Sequence, residues 1–350
     1  MKTILVTGGA GFIGSHTCLL LLENKYKVYV IDSFQNSSKE SLQRVKSIYK
    51  YNKHISNLNL KVFQGDLCDK GFLENTFKTI SEENNSIDGI IHFAGLKSVS
   101  ESIKNPLLYW KTNLIGTINL LEIMDEYKCE NFVFSGSATI YEQNENCLLH
   151  EQSPLGPINA YGNTKLTIEV LLQDIFKSSM KYKIASLRYF NPIGAHSSGL
   201  IGEDSLGTPN NIFPLIANTA IGIQKRLKIY GNDWPTKDGT PIRDYIHVMD
   251  VAEAHIRVLE YLICNKSEYL EVNIGTGKPT SVLELIDTFE RVNNIKVPYI
   301  FDKRRKGDNC FVVANNDLMT CKFKIFPKYS LEDMCRDGWK WKKLNPGGYN

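Results

Sequence analysis

Tyr161 and Lys165 stand four residues apart in NAYGNTKLTIEVLL (159–172), a stretch that begins as a turn and continues as an apolar helix. Residues at i and i+4 share one helical face, so phenol and ammonium can lie side by side. The pair could transfer a proton, or it could be surface decoration. A free phenol has a pKa of ~10, so ionising it near neutral pH needs about three units, roughly 4 kcal/mol. One exposed cation supplies only ~1 kcal/mol at contact distance, and several times more when partly buried. A second positive charge in a closed site would make up the difference.

A source for that charge is written at the start of the chain. TGGAGFIG (7–14) places Gly8, Gly11 and Gly14 between an apolar strand and a helix. Such glycines allow a tight turn and let a pyrophosphate approach the free N–H groups of the helix N-terminus. Asp32 closes the second strand, 18 residues after Gly14, where an acid accepts hydrogen bonds from the adenosine ribose. Ser33 and Phe34 follow it and bring no cation for a 2′-phosphate, so the cofactor expected is NAD rather than NADP. Asp66 ends the third strand and could bind the adenine amino group, or it could be a helix cap or loop acid. The positive nicotinamide ring would then join Lys165 in lowering the pKa of Tyr161. Ser137, at the end of the fifth strand, is spaced to bring its hydroxyl to the same site.

These residues need a scaffold. Short apolar strands are expected at 2–7, 27–32, 60–66, 89–95, 131–137 and 183–191. Helical patterns fill the intervals, notably 12–24, 106–127 and 161–178. That alternation predicts an α/β fold with a doubly wound parallel sheet of Rossmann type. The polar stretch 50–59 reads as a loop insertion. After about residue 192 the rhythm changes to a Gly-, Pro- and Asn-rich binding loop (191–211) followed by helix 212–223. The expected organisation is an NAD-binding domain over 1–191 and a smaller α/β substrate lobe over 192–350. That lobe contains helices 281–293 and 330–341, and a strand near 268–275 returns to the first sheet.

Composition narrows the function. The 350 residues include 41 basic and 38 acidic side chains, a net charge of +3 that gives no reason to expect nucleic acid or a membrane surface as partner. Eight cysteines form no Cys-x-x-Cys and no Cys/His cluster with zinc spacing, so reduced thiols and no metal are expected. The apolar run at the N-terminus is too short and glycine-broken for a signal peptide, and CLLLL (18–22) is too short to span a bilayer. The expected location is the cytoplasm. His92, within a strand, and His247 read as structural.

Taken together, VTGGAGFIGSHT, HFAGLKSVSES, FSGSATIY, AYGNTKL, LRYFNPIGAH, PNNIFP, IYGND, DGTPIRDYIHVMDVA and RRKGD resemble the extended short-chain dehydrogenase/reductases, and within them the UDP-galactose 4-epimerases, over nearly the whole chain. The resemblance implies reversible C4 epimerisation of UDP-galactose and UDP-glucose through a 4-keto sugar, with NAD bound throughout. It implies catalysis by Ser137, Tyr161 and Lys165. Phe12, Ile13, Asp32, Asn36, Ser37, Asp66, Leu67, Phe93, Ala94, Lys97 and Asn113 would line NAD, with Phe190 at the nicotinamide end. Asn191, Asn211, Ile212, Tyr230, Arg243, Arg305 and Asp308 would hold the UDP-sugar. The arginines are suited to the pyrophosphate, Tyr230 to flanking the uracil and Asp308 to the uridine ribose. Without the resemblance, DKRRKGD (302–308) would read as a solvated charged loop.

The chain departs from the family pattern at Gly136, where a serine is usual, at Glu142, where a glycine is usual, and at Asn163-Thr164. Two other readings stand beside the epimerase. A nucleotide-sugar 4,6-dehydratase usually carries Asp-Glu after the Ser/Thr position, where this chain has Ala138 and Thr139. A catalytically silent NAD sensor would commonly lose the tyrosine or lysine that this chain keeps. Apolar residues on several faces of helix 106–127 predict a homodimer contact shared with helix 161–178. Val312, four residues beyond Asp308, falls by resemblance beside the sugar C2, where a small residue would admit N-acetylated UDP-sugars. Alternation does not say which of Phe311, Val312 and Val313 faces the sugar.

Overall fold

The computed structural model describes residues 1–53, 59–83, 86–142, 147–204, 209, 211–305 and 308–349. Its strands are β1 (Thr3–Thr7), β2 (Lys27–Asp32), β3 (Leu60–Gln64), β4 (Gly89–His92), β5 (Asn131–Ser137), β6 (Lys183–Tyr189), β7 (Asn191–Ile193), β8 (Leu227–Tyr230), β9 (Ile242–Arg243), β10 (Tyr245–His247), β11 (Tyr269–Ile274), β12 (Thr280–Ser281), β13 (Tyr299–Asp302) and β14 (Phe311–Val312). The helices are α1 (Phe12–Glu23), α2 (Lys39–Lys53), α3 (Lys70–Glu82), α4 (Val99–Lys104), α5 (Pro106–Tyr109), α6 (Gly116–Glu126), α7 (Ala160–Ser178), α8 (Ile212–Ala220), α9 (Val248–Cys264), α10 (Val282–Asn293), α11 (Asp317–Cys321) and α12 (Leu331–Leu344). None of the described helices is long and apolar enough to cross a membrane.

The chain divides into two compact units. The first comprises Met1–Ile140, Pro157–Arg188 and Ala252–Val272. Its seven-stranded sheet runs β11-β6-β5-β4-β1-β2-β3. The central strands are buried on both faces, so they read as unbroken apolar runs such as TILVT. Register is parallel, with Val6 of β1 between Val30 of β2 and Ile91 of β4. Connections reverse direction at β1, and a doubly wound sheet binds ligands beyond the strand C-termini at such a point. Leu5, Tyr29, Phe77, Ile90, Phe132 and Phe134 form the centre of its core.

The second unit comprises Tyr141–Gly156, Tyr189–Val251 and Asn273–Asn350. It holds three small sheets, β10-β7, β12-β9-β14 and β13-β8, around a core that includes Phe213, Ile286, Phe289 and Met334. α10 and α12 each begin with a capping box, Ser281 with Glu284 and Ser330 with Asp333, which fixes their starts.

Several expected elements differ. The strand expected over 183–191 ends at Tyr189, and Asn191–Ile193 pairs instead with β10. Pro192 has no N–H to offer a ladder, which favours a break there. The helix expected over 106–127 is α5, then a π-helix over Trp110–Ile115, then α6. The wider turn shifts the faces, so Leu120, Ile123 and Met124 are buried while Leu107, Leu108 and Ile115 are exposed. The first residues of the expected loop at 50–59 belong to α2; 54–58 lie outside the described residues. The expected binding loop 191–211 likewise includes 205–208 and 210, outside the described residues. α9 was not read from the sequence, because its β-branched start continues the strand-like YIHV.

Candidate active site

The first unit concentrates the chemistry around the end of β1. Gly8 has φ +66°, and a Cβ there would lie 2.6 Å from the Ala94 nitrogen. A Cβ at Gly14 would strike the Gly8 carbonyl and lie 2.8 Å from the Gly9 Cα. Only glycine fits either position. Gly11 is the N-cap of α1; no side chain caps it, and the first turn holds no acid. That helix end therefore offers N–H groups and positive dipole to an anion.

Asp32 is buried at the end of β2. Its carboxylate accepts from the Ala10 N–H at 2.9 Å, the Phe34 N–H at 2.9 Å and the Ser37 hydroxyl at 2.8 Å. It thus ties the glycine turn to the β2 loop, where Asn36 is exposed. Asp66 accepts from the Cys68 N–H at 2.9 Å, so one of its oxygens serves as a loop acid. Leu67 beside it is buried. Phe93 is half-buried against His255, with ring centroids 4.6 Å apart, and Lys97 is exposed. Asn113, carried inward by the π-helix, accepts from the Leu96 N–H at 2.8 Å and donates to the Leu96 carbonyl and the Thr164 hydroxyl at 3.1 Å each. His92 bridges two hydroxyls, Thr7 at 2.6 Å and Thr117 at 2.9 Å, and burial lowers its pKa to about 3. It is a neutral strut.

Ser137, Tyr161 and Lys165 come together. Ser137 is the last residue of β5, and its Oγ accepts from the Thr139 hydroxyl at 2.9 Å. Tyr161 is the second residue of α7, whose N-cap Asn159 accepts from the Gly162 N–H at 2.8 Å. Burial raises the Tyr161 pKa, and the neighbouring Ser137 hydroxyl works against that rise by favouring the phenolate. Lys165 is buried one turn further on, its Nζ 5.9 Å from the Tyr161 ring centroid and 4.7 Å from that of Phe134. It donates to the carbonyl of Ser135 at 2.8 Å and to its hydroxyl at 3.1 Å. Burial brings its pKa down to about 8. Ser135 and Thr139 were not singled out from the sequence. For Ser135 the two-residue spacing from Ser137 was an available signal, because side chains alternate along a strand; Thr139 lies in the 3-10 turn that follows β5, where alternation gives none.

The second unit gathers the other set. Arg305 lies over the Tyr230 ring at 4.2 Å. Arg243 donates from Nη1 to the carbonyls of Ile242 and Asn309 at 2.8 Å each, and burial lowers its pKa. β14 pairs with β9 so that Val312 stands opposite Arg243. Of the three candidates, Val313 is fully buried, while Phe311 and Val312 are both partly exposed, so burial removes Val313 alone. Asp308 donates its N–H to the Arg305 carbonyl at 3.1 Å. Asn211 is the N-cap of α8 and donates to Glu203 at 3.0 Å, with Ile212 opening the helix. Phe190 donates its N–H to the Ile274 carbonyl at 3.2 Å, and Asn191 donates to the Asp244 carbonyl at 3.0 Å. Lys306 and Gly307 lie outside the described residues.

Comparison with known proteins fits this geometry. Residues 5–338 match the family described as GDP-mannose 4,6 dehydratase, within the extended short-chain dehydrogenase/reductases. UDP-glucose 4-epimerase 2 of Arabidopsis thaliana is 46% identical over 349 residues, covering 100% of this chain and 97% of that protein. The chain belongs to the UDP-glucose 4-epimerase family. UDP-glucose 4-epimerase of Bacillus subtilis (strain 168) is 45% identical over 346 residues, 99% of this chain and 98% of that protein. A crystal structure of the UDP-glucose-4-epimerase from Stenotrophomonas maltophila, with bound NAD and formylated UDP-arabinopyranose, superposes with TM-score 0.93 at 40% identity, covering 99% of each chain. Against the epimerase family pattern, the departures Glu142 and Asn163 are both exposed.

Proposed function

We propose that this chain interconverts UDP-galactose and UDP-glucose by oxidation and re-reduction at the sugar C4, with NAD bound throughout. The observation that carries the reading is the cluster of Ser137, Tyr161 and Lys165 in the same unit as a glycine turn that only glycine can form.

The donor set fits NAD. The open N-terminus of α1 suits a pyrophosphate, and Asp32, already positioned by three donors, suits the adenosine ribose. Phe12, Ile13, Asn36, Ser37, Asp66, Leu67, Phe93, Ala94, Lys97, Asn113 and Phe190 complete the assigned cofactor contacts. NAD supplies the acceptor for the C4 hydrogen and gives it back, so no net oxidation occurs.

A sugar C4–H is not acidic, so simple deprotonation cannot invert that carbon. Tyr161 as phenolate takes the C4 hydroxyl proton while the carbon is oxidised, then returns it after the 4-keto sugar has turned over. Ser137 donates to the sugar oxygen and keeps the phenol within hydrogen-bond reach. Lys165 supplies fixed positive charge beside the ring and binds the nicotinamide ribose. Asn191, Asn211, Ile212, Tyr230, Arg243, Arg305 and Asp308 hold the UDP moiety while the sugar rotates. The Tyr230–Arg305 stack suits a uracil face and the neighbouring phosphates. Two finer assignments belong to this reading. N-acetylated UDP-sugars are accepted, because Val312 is small and incompletely buried. The working species is a cytoplasmic homodimer, supported by exposed Leu107, Leu108 and Ile115 and by Val170 on α7.

A 4,6-dehydratase is disfavoured. Ala138 and Thr139 occupy the positions for its acid/base pair, and the Thr139 hydroxyl is engaged with Ser137. The test is purified protein with NAD and UDP-galactose. UDP-glucose should form, and Tyr161→Phe should lower kcat by ~10²-fold or more. No UDP-glucose, or an unchanged rate in Tyr161→Phe, contradicts the assignment.

A further inference from the structure

Behind Lys165 lies a buried ionic cluster that none of the steps above uses. Glu169, one turn after Lys165 on α7, accepts from Arg188 Nη2 at 2.7 Å and from the Ser186 hydroxyl at 2.5 Å. Arg188 is fully buried, and its Nη2 also meets Glu271 at 3.1 Å. Two carboxylates therefore face one guanidinium; burial raises the Glu271 pKa and Arg188 opposes that rise, and with Glu271 ionised the cluster carries one negative charge in excess. Replacing such buried charges with apolar residues would usually cost nothing in stability, so the arrangement calls for another role.

Geometry points to Lys165. Lys165 and Glu169 reach adjacent residues of β5 with opposite charge. The ammonium donates to Ser135, and the carboxylate packs on Gly136, where a Cβ would lie 3.0 Å from Glu169 Oε1 and 2.7 Å from Ser186 Oγ. The missing side chain at 136 is what lets the carboxylate and the Ser186 hydroxyl come this close. A buried ammonium without a counter-charge sheds its proton, and the excess negative charge of the cluster opposes that.

We propose that Glu169, clamped by Arg188 and Ser186 and backed by Glu271, is a positioning residue that keeps Lys165 an ammonium at the Ser135 carbonyl. The proposal rests on the catalytic role given to Lys165 above. The other titratable groups facing Lys165 are Tyr161 on its own helix and His92 on β4. His92, held neutral by burial and by the lysine itself, adds no charge beside Lys165.

Charge removal tests this without removing bulk. Glu169→Gln and, separately, Glu271→Gln each make the cluster neutral. Glu271 is the partly exposed member, so its variant leaves the buried Glu169–Arg188 pair intact and keeps the test open if Glu169→Gln does not fold. The readout is the pH titration of the Lys165 ε-carbon by NMR, its signal assigned with Lys165→Arg. The wild type should titrate near 8, and both variants about one unit lower. The surface variant Glu122→Gln should titrate as wild type. Unchanged midpoints in the cluster variants overturn the proposal. A shifted midpoint in a protein that does not epimerise UDP-galactose leaves the cluster standing and removes the proposed function instead.

Discussion

The Lys165 ammonium donates to both the carbonyl and the hydroxyl of Ser135, at 2.8 and 3.1 Å, rather than reaching out to the Tyr161 hydroxyl. The lysine is held by the end of β5, so its charge acts on the phenol through a fixed position. Burial has already brought its pKa to about 8, below the ordinary lysine value. The sign follows directly: a lowered pKa means the positive charge is lost as pH rises through that value. The kcat profile should fall on its alkaline side near pH 8. Lys165→Arg, which cannot lose its charge there, should abolish that fall while lowering kcat by about tenfold or more through altered geometry. A fall that persists in Lys165→Arg assigns it to another group.

Asp32→Ala should harm both fold and cofactor binding. The Ala10 N–H and the Ser37 hydroxyl lose their acceptor, which costs about 1–3 kcal/mol of stability where the donor stays buried. NAD affinity should drop by about tenfold or more, since the ribose loses its partner as well. Denaturant unfolding and calorimetric titration with NAD measure the two effects separately. Unchanged affinity would remove Asp32 from the NAD site.

Much of this was legible in advance, for identifiable reasons. Gly8, Gly14 and Asp32 announce themselves because each occupies a backbone or charge position that few residues can fill. The sheet was readable because strands buried on both faces are unbroken apolar runs. What stayed hidden depends on contacts distant in sequence. The Thr139–Ser137 bond forms at a turn whose shape no periodicity encodes. Nothing in the local sequence marks Glu169, because its partner Arg188 comes from β6. The π-helix at Trp110–Ile115 was missed because a single extra residue per turn barely disturbs a 3.6-residue pattern. Its effect is nonetheless to bury Asn113 and expose Ile115.

Val312→Tyr should separate two substrate classes. The wild type should interconvert UDP-N-acetylglucosamine and UDP-N-acetylgalactosamine. The larger side chain, opposite Arg243 on β9, should cut that activity by ~10–100-fold and leave UDP-galactose turnover nearly intact. Equal loss of both activities, or no N-acetyl turnover in the wild type, shows that Val312 does not gate the pocket. Parallel assays with the four sugars decide it.

Leu107, the most exposed of the apolar residues on α5, marks the expected self-contact together with Val170 on α7. Sedimentation at micromolar concentration should give twice the chain mass, and Leu107→Glu with Val170→Glu should give the monomer. A wild type that sediments as a monomer rules the homodimer out.

The central claim is that C4 is inverted by removing its hydrogen and returning that same hydrogen to the opposite face. UDP-galactose carrying deuterium at C4, turned over in ordinary water, tests this most directly. UDP-glucose retaining essentially all the deuterium at C4 is the predicted result, since the label never meets solvent. Product formed with the deuterium washed out would mean that C4 exchanges with water, and would contradict the account.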